Sequence, residues 1–442
     1  MSEINTVTVL GANGNVGSKC AAIIAGFGNV TVHMLARNID KAEHGIQKAI
    51  QSIRSDAIKK QLIAGTYESN LKYAVENSDW VFEAVAEDFD TKFDLFAQVS
   101  THLGSQTIVS SGTSGFSITS LSKALKSDAH NRFFGTHFFS PPYKMILCEF
   151  IKTSDSDPAI AKSLQSFLEQ KLHRQVVHVK DEPAFAGNRV GFLVLNLACQ
   201  LAEEYKALGG IPFIDEILGG FTGRVMPPLR TVDLVGLDIH KAIVENLCNK
   251  LPENERDFFM LPDFMQHLIN IDRLGVKSGK GLYNYQTLSA GESGEKYYFD
   301  ISTNKYLPVA AIDLEFVKQA NNYIANSDYQ KAVNIICNAK GSAGEICRYI
   351  IANYISYAFS LVGQVVDDVE SIDKIMSFGF NWVPPSAWVD LLGGHEATID
   401  FLENAKVKVP SLLRSDIIHS PFYQLNNLFD PRCLFRAKVY RS

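Results

Sequence analysis

Hydroxylated and apolar residues alternate from Thr6 to Leu10 with the two-residue period of a strand. Gly11-Ala12-Asn13-Gly14-Asn15-Val16-Gly17 follows and leads into the helix-like Ser18-Lys19-Cys20-Ala21-Ala22-Ile23-Ile24-Ala25. A second strand is predicted at 30–35, and further short apolar strands at 80–85 and 107–110. Strands separated by helical segments predict a parallel, doubly wound sheet of the Rossmann type. Beyond Lys180-Asp181-Glu182-Pro183 the pattern changes: 190–208 has helical periodicity and no run of parallel strands follows. A domain boundary is placed there.

The rest of the chain carries an internal repeat. Ile214-Asp215-Glu216-Ile217, Pro227-Pro228 and Val232-Asp233-Leu234-Val235-Gly236 recur as Ile372-Asp373-Lys374-Ile375, Pro384-Pro385 and Val389-Asp390-Leu391-Leu392-Gly393, with Arg189 corresponding to Arg348. The polar stretch 287–296 between the copies reads as a loop or short hairpin. The expected architecture is a dinucleotide-binding α/β domain at 1–184, then two all-α domains related by duplication, at 185–286 and 287–442.

At 442 residues the chain exceeds one ordinary core, in keeping with several domains. A net charge of -6 gives no general attraction to phosphate backbones, so nucleic acid is not an expected partner. No run of eighteen apolar residues suggests a membrane span, and Met1-Ser2-Glu3-Ile4-Asn5 lacks the basic and apolar regions of an export signal. The seven cysteines have no metal-ligand spacing and read as reduced, mostly buried thiols, so no metal is expected and a cytoplasmic location is.

A glycine turn at the first strand-to-helix junction lets backbone amides and the positive helix end approach a pyrophosphate. Gly11, Asn13, Gly14, Asn15 and Val16 are the candidates for that contact. The spacing is GxxGxxG, weak by itself and strengthened by its position. The second strand ends in Leu35-Ala36-Arg37-Asn38, without the acidic residue that commonly binds the adenosine ribose diol. Arg37 can stack on adenine or pair with a 2′-phosphate, so NAD is expected with NADP as the alternative.

The run Gly135-Thr136-His137-Phe138-Phe139-Ser140-Pro141-Pro142, with Glu149 twelve residues after the histidine, resembles the 3-hydroxyacyl-CoA dehydrogenase family. The resemblance continues through Glu83-Ala84-Val85-Ala86-Glu87-Asp88, Thr113-Ser114-Gly115, Asn188-Arg189, Val232 to Asp238, and Gly275 to Tyr283. It is closest in kind to the dehydrogenase part of bacterial fatty-acid-oxidation multienzymes.

Oxidising a secondary alcohol needs a base for the hydroxyl proton as hydride leaves carbon, and histidine suits both directions near neutral pH. His137 is that candidate, with Glu149 to orient it. The resemblance implies that Ser114 and Asn188 bond the substrate's oxygens. It also implies that Glu87, Lys92 and Ser140 lie near the cofactor, and that Lys277 closes over it from the second domain. Three departures stand out: Ala36 for an aspartate, and Gly112 and Ser140 for asparagines. They bear on cofactor contacts and leave the base and its orienter intact.

The basic segment 48–60 reads either as an amphipathic helix for CoA phosphates or as a solvated face. The implied activity is reversible oxidation of a (3S)-3-hydroxyacyl-CoA in fatty-acid β-oxidation, by a monomer or homodimer that associates with other enzymes of that sequence or acts alone. The alternatives are a family member acting on another β-hydroxy acid, or a non-catalytic acyl-CoA- or dinucleotide-binding homologue.

Overall fold

A computed structural model describes residues 3–286, 297–415 and 430–438. The chain divides into two compact units, one of 1–185 with 365–367, the other holding the remainder. The first unit is built on eight strands: β1 (Thr6–Leu10), β2 (Thr31–Ala36), β3 (Leu62–Thr66), β4 (Trp80–Glu83), β5 (Ile108–Ser111), β6 (Phe133–Phe138), β7 (Leu147–Ile151) and β8 (Gln175–Val179). Their order in the sheet is β3-β2-β1-β4-β5-β6-β7-β8. The chain leaves β1 to build one half of the sheet and returns beside it with β4, which opens a crevice at the carboxyl ends of these two strands.

Six α-helices accompany this sheet: α1 (Asn15–Gly28), α2 (Ile39–Ile53), α3 (Tyr67–Glu76), α4 (Phe89–Ser100), α5 (Ile118–Ser122) and α6 (Pro158–Ser166). Helices on the sheet bury both of its faces, so even the alternating β1 is buried from Val7 onward. Its one central polar side chain, Thr8, bonds Ser78 Oγ at 2.8 Å. Ile23 and Ile24 of α1 pack with Val7, Val9, Val32, Met34, Phe82 and Phe134 into one apolar core.

The sheet is mixed: β7 runs antiparallel to β6, and β8 runs parallel to β7. β3 and the strands from β6 onward go beyond what the apolar pattern alone predicts. The expected basic helix over 48–60 also differs. α2 stops at Ile53 because Arg54 turns left-handed at φ 53°, and a short 3-10 segment follows at Asp56–Gln61.

The second unit contains α7 (Gly187–Glu204), α8 (Ile211–Ile217), α9 (Pro228–Val235), α10 (Leu237–Lys250), α11 (Glu253–Arg256) and α12 (Asp263–Asn270), then α13 (Glu315–Ala325), α14 (Tyr329–Asn338), α15 (Gly341–Ser360), α16 (Val369–Phe380), α17 (Pro385–Leu392) and α18 (His395–Asn404). It is not wholly helical. β9 (Tyr283–Asn284), β10 (Tyr297–Asp300) and β11 (Lys305–Pro308) form a small antiparallel sheet. The expected loop or hairpin at 287–296 lies outside the described residues.

Asp215 on α8 accepts the Leu229 N–H at the start of α9 at 2.8 Å. Asp373 on α16 accepts the Ser386 N–H at the start of α17 at 3.1 Å. The two repeated aspartates therefore do the same job on matching helix pairs. Asp233 accepts the Leu282 and Tyr283 N–H groups at 2.7 and 2.8 Å and the Tyr285 hydroxyl at 3.0 Å. Its counterpart Asp390 is exposed. Among the described residues no helix is long and apolar enough to cross a membrane.

Candidate active site

The β1-to-α1 turn is fastened first by backbone hydrogen bonds. The Gly11 and Ala12 N–H groups donate to the Leu35 carbonyl at 3.2 and 3.1 Å, and the Gly14 N–H donates to the Gly11 carbonyl at 2.9 Å. Gly11 has φ 78°, and a Cβ there would lie 2.5 Å from the Ala84 carbonyl oxygen. A Cβ on Gly17 would lie 2.4 Å from the Gly11 carbonyl oxygen, so the helix can start this close to the strand only without a side chain. α1 is capped by Gly14 with no side-chain hydrogen bond. Its first-turn amides and positive end therefore fit a dinucleotide pyrophosphate. Asn13, Asn15 and Val16 lie along this turn, and Lys48 of α2 donates to the Asn13 carbonyl at 3.2 Å.

His137 and Glu149 face each other across the antiparallel β6–β7 pair, in direct register. Their spacing of twelve becomes a cross-strand pair, whose side chains share a face of the sheet. His137 Nδ1 lies 2.7 Å from Glu149 Oε2. Glu149 is fully buried and His137 is 5% exposed. A carboxylate accepts from Nδ1–H, which leaves the lone pair of a neutral ring on Nε2. Phe139 and Phe185 flank the imidazole at ring-centroid distances of 4.6 and 5.9 Å.

A second cluster supports Ser114. Glu87 Oε1 accepts the Thr113 hydroxyl at 2.6 Å and the Ser114 N–H at 2.8 Å. Its other oxygen lies 3.2 Å from Lys92 Nζ. Lys92 is only 1% exposed on α4, paired at 2.6 Å with the fully buried Glu83 at the end of β4. Glu83 also accepts the Ser111 hydroxyl at 2.5 Å and the Val85 N–H at 2.7 Å.

Glu87 lies in the loop between β4 and α4, whereas Lys92 is a buried helix residue whose ammonium lies between two carboxylates. Glu83, Ser111 and Thr113 had no role assigned from sequence. A carboxylate closing the apolar run of β4 was the available signal, because a charge there must find a partner.

Of the remaining candidates, Arg37 is exposed just past β2 and Ser140 is exposed just past β6. Asn188 is buried near the start of α7, and Lys277 pairs with Asp238 at 2.5 Å, both in the helical unit. Gly112 departs from the family pattern for a local reason. A Cβ there would meet the Phe82 ring at 2.9 Å and the Glu83 carbonyl at 3.0 Å. The structure thus brings together His137 with Glu149, and Glu87 with Ser114 and Lys92.

The 3-hydroxyacyl-CoA dehydrogenase NAD binding domain matches residues 6–182, and the C-terminal domain of the same family matches 185–285. A probable 3-hydroxyacyl-CoA dehydrogenase of Deinococcus radiodurans is 32% identical over 296 residues, which are 64% of this chain and 83% of that protein. The chain belongs to the 3-hydroxyacyl-CoA dehydrogenase family.

A probable 3-hydroxyacyl-CoA dehydrogenase of Bacillus subtilis is 30% identical over 407 residues, 86% of this chain. This member of the family spans only 50% of that relative's length. The crystal structure of 3-hydroxybutyryl-CoA dehydrogenase from Escherichia coli aligns over 93% of this chain and 98% of its own, with a TM-score of 0.70 at 21% identity, which shows a shared fold. The motifs by which the chain resembles the dehydrogenase family divide in two. Those around His137, Glu149 and Ser114 lie in the sheet unit. Val232-Asp233 and Gly281-Leu282-Tyr283 are joined to each other by the Asp233 hydrogen bonds and build the helical unit.

Proposed function

We propose that the chain catalyses the reversible oxidation of a (3S)-3-hydroxyacyl-CoA to the 3-oxoacyl-CoA, with a nicotinamide dinucleotide as hydride acceptor, in fatty-acid β-oxidation. The observation that carries this reading is the buried His137–Glu149 pair, 2.7 Å apart within a dehydrogenase-family domain. When bound, the nicotinamide ring supplies the site that takes up hydride from the substrate's C3. The residues of the chain do the rest.

His137 Nε2 accepts the C3 hydroxyl proton as the alcohol becomes a ketone. The Glu149 carboxylate, held without solvent, stabilises the imidazolium so formed and keeps the ring from rotating. In the reverse direction the same nitrogen returns the proton. Ser114 is assigned to a substrate oxygen, with its backbone fixed by the Glu87 carboxylate. The glycine turn and the start of α1 take the pyrophosphate.

The helical unit is read as two copies of one helical domain, on the strength of Asp215 and Asp373 bonding equivalent helix starts. The second copy has Cys347 where the first has Asn188, so its role is packing. Which nicotinamide dinucleotide is used depends on the end of β2, where Ala36 and Arg37 replace the ribose-binding acid.

The test is turnover of acetoacetyl-CoA and longer 3-oxoacyl-CoA substrates, followed by the loss of reduced nicotinamide absorbance with NADH and with NADPH. Oxidation of reduced cofactor that depends on the acyl-CoA supports the proposal. No turnover with any pairing contradicts it and favours a non-catalytic binding protein.

A further inference from the structure

The adenosine end of a dinucleotide lies beyond the carboxyl ends of β1, β2 and β3 in this kind of sheet. β2 closes with the buried apolar side chain of Ala36. Next to it Arg37 is exposed, and a guanidinium has donors only. Asn38 has its side-chain oxygen occupied by the Lys41 N–H at 3.0 Å. Its amide nitrogen is again a donor.

The neighbouring strand ends in the same way. β3 pairs with β2 so that Thr66 lies opposite Ala36, and Tyr67 follows directly as the first residue of α3. The Tyr67 hydroxyl oxygen accepts the Gly11 N–H at 2.8 Å, which fastens the phenol to the glycine turn. With that oxygen already accepting from the backbone, the hydroxyl hydrogen is the group the phenol offers to an acceptor. Burial pushes the phenol up to about 12, so it keeps this hydrogen throughout the neutral range. The charges of Glu83 and then Arg37 also act on the phenol, which puts Tyr67 and Arg37 in one electrostatic environment.

A free ribose diol presents two hydroxyls and is best met by a carboxylate that accepts from both. A 2′-phosphate presents only acceptor oxygens and negative charge, and is best met by a guanidinium and an O–H donor. We propose that Arg37 and Tyr67 are specificity-determining residues for the 2′-phosphate, so that this chain takes NADP in preference to NAD. The inference rests on the nicotinamide-dinucleotide reading of the glycine turn. Two exposed acids lie near in sequence, Asp40 in the first turn of α2 and Glu68 in the first turn of α3. Either one serving the diol would give the opposite preference.

The test is equilibrium binding of NADPH and of NADH to the full chain without acyl-CoA, followed by nicotinamide fluorescence, with 2′,5′-ADP and 5′-ADP as competitors. NADPH is expected to bind at least about tenfold more tightly than NADH, and 2′,5′-ADP is expected to be the better competitor. Arg37→Gln is expected to weaken NADPH by about ten- to a hundredfold, the loss of a charge-assisted bond, with a much smaller effect on NADH. Tyr67→Phe is expected to weaken NADPH more than NADH, in a protein whose thermal melting matches the wild type.

NADH binding as tightly as NADPH would overturn the proposal. So would Arg37→Gln weakening both cofactors equally, and an equal effect of Tyr67→Phe on the two would remove Tyr67 from it. Binding of neither cofactor would overturn the dinucleotide reading beneath it, an outcome distinct from a reversed preference.

Discussion

Lys92 and Glu83 form a buried charge pair that is linked through Glu87 to the Ser114 backbone. Both side chains are out of solvent, 2.6 Å apart, and the ammonium also reaches Glu87, which holds the Ser114 backbone. Two charges taken out of water are stable only together, so removing one leaves the other without compensation. Lys92→Met is accordingly expected to cost about 3–5 kcal/mol in chemical denaturation. The double variant Lys92→Met/Glu83→Gln is expected to recover part of that loss, because the orphaned charge is gone. A single variant as stable as wild type would show that the pair is not what holds this corner of the sheet.

The glycine turn and the β6–β7 pair set the limits of what could be read at the level of elements. β1, β2, β4 and β5 stand within a residue or two of their predicted positions, because their β-branched and apolar residues, alternating in β1, carry a strand pattern in sequence. β3 was not predicted: Leu62-Ile63-Ala64-Gly65-Thr66 leaves Ile63 exposed and breaks at Gly65, and its place comes from pairing with β2. The stop of α2 at Ile53 was equally hidden, since a left-handed arginine leaves no mark comparable to glycine.

At the site, the His137 motif was legible as a family pattern. What could not be read is that its spacing of twelve is an antiparallel register, because register belongs to the paired backbone. The burial of Lys92 could not be read either, since its partners Glu83 and Glu87 are brought around it only by the fold. The turn itself makes a sharp prediction. Gly17→Ala puts a methyl 2.4 Å from the Gly11 carbonyl oxygen, and such overpacking is expected to cost about 1–3 kcal/mol and to weaken dinucleotide binding. Unchanged cofactor affinity by titration would mean that the turn tolerates a wider separation of strand and helix.

Across the whole chain the two units answer to different kinds of test. In the helical unit, burial pushes the Asp215 carboxyl up to about 6 and those of Asp233 and Asp373 up to about 7, against an ordinary value of 3.8. Each therefore binds its proton more tightly folded than unfolded. The stability this contributes is full below the ordinary value and is lost as pH rises through the folded values. The contribution of these groups to thermal stability is thus expected to fall between about pH 4 and about pH 7, with the decline shallower in Asp373→Asn. An equally steep decline in that variant would remove Asp373 as a source.

The sheet unit carries the central claim, that His137, oriented by Glu149, moves the proton. Its most direct test is the turnover of His137→Ala with acetoacetyl-CoA, measured beside cofactor affinity. The account predicts turnover lower by about 10²- to 10⁴-fold with cofactor binding retained, and wild-type turnover in His137→Ala would contradict it.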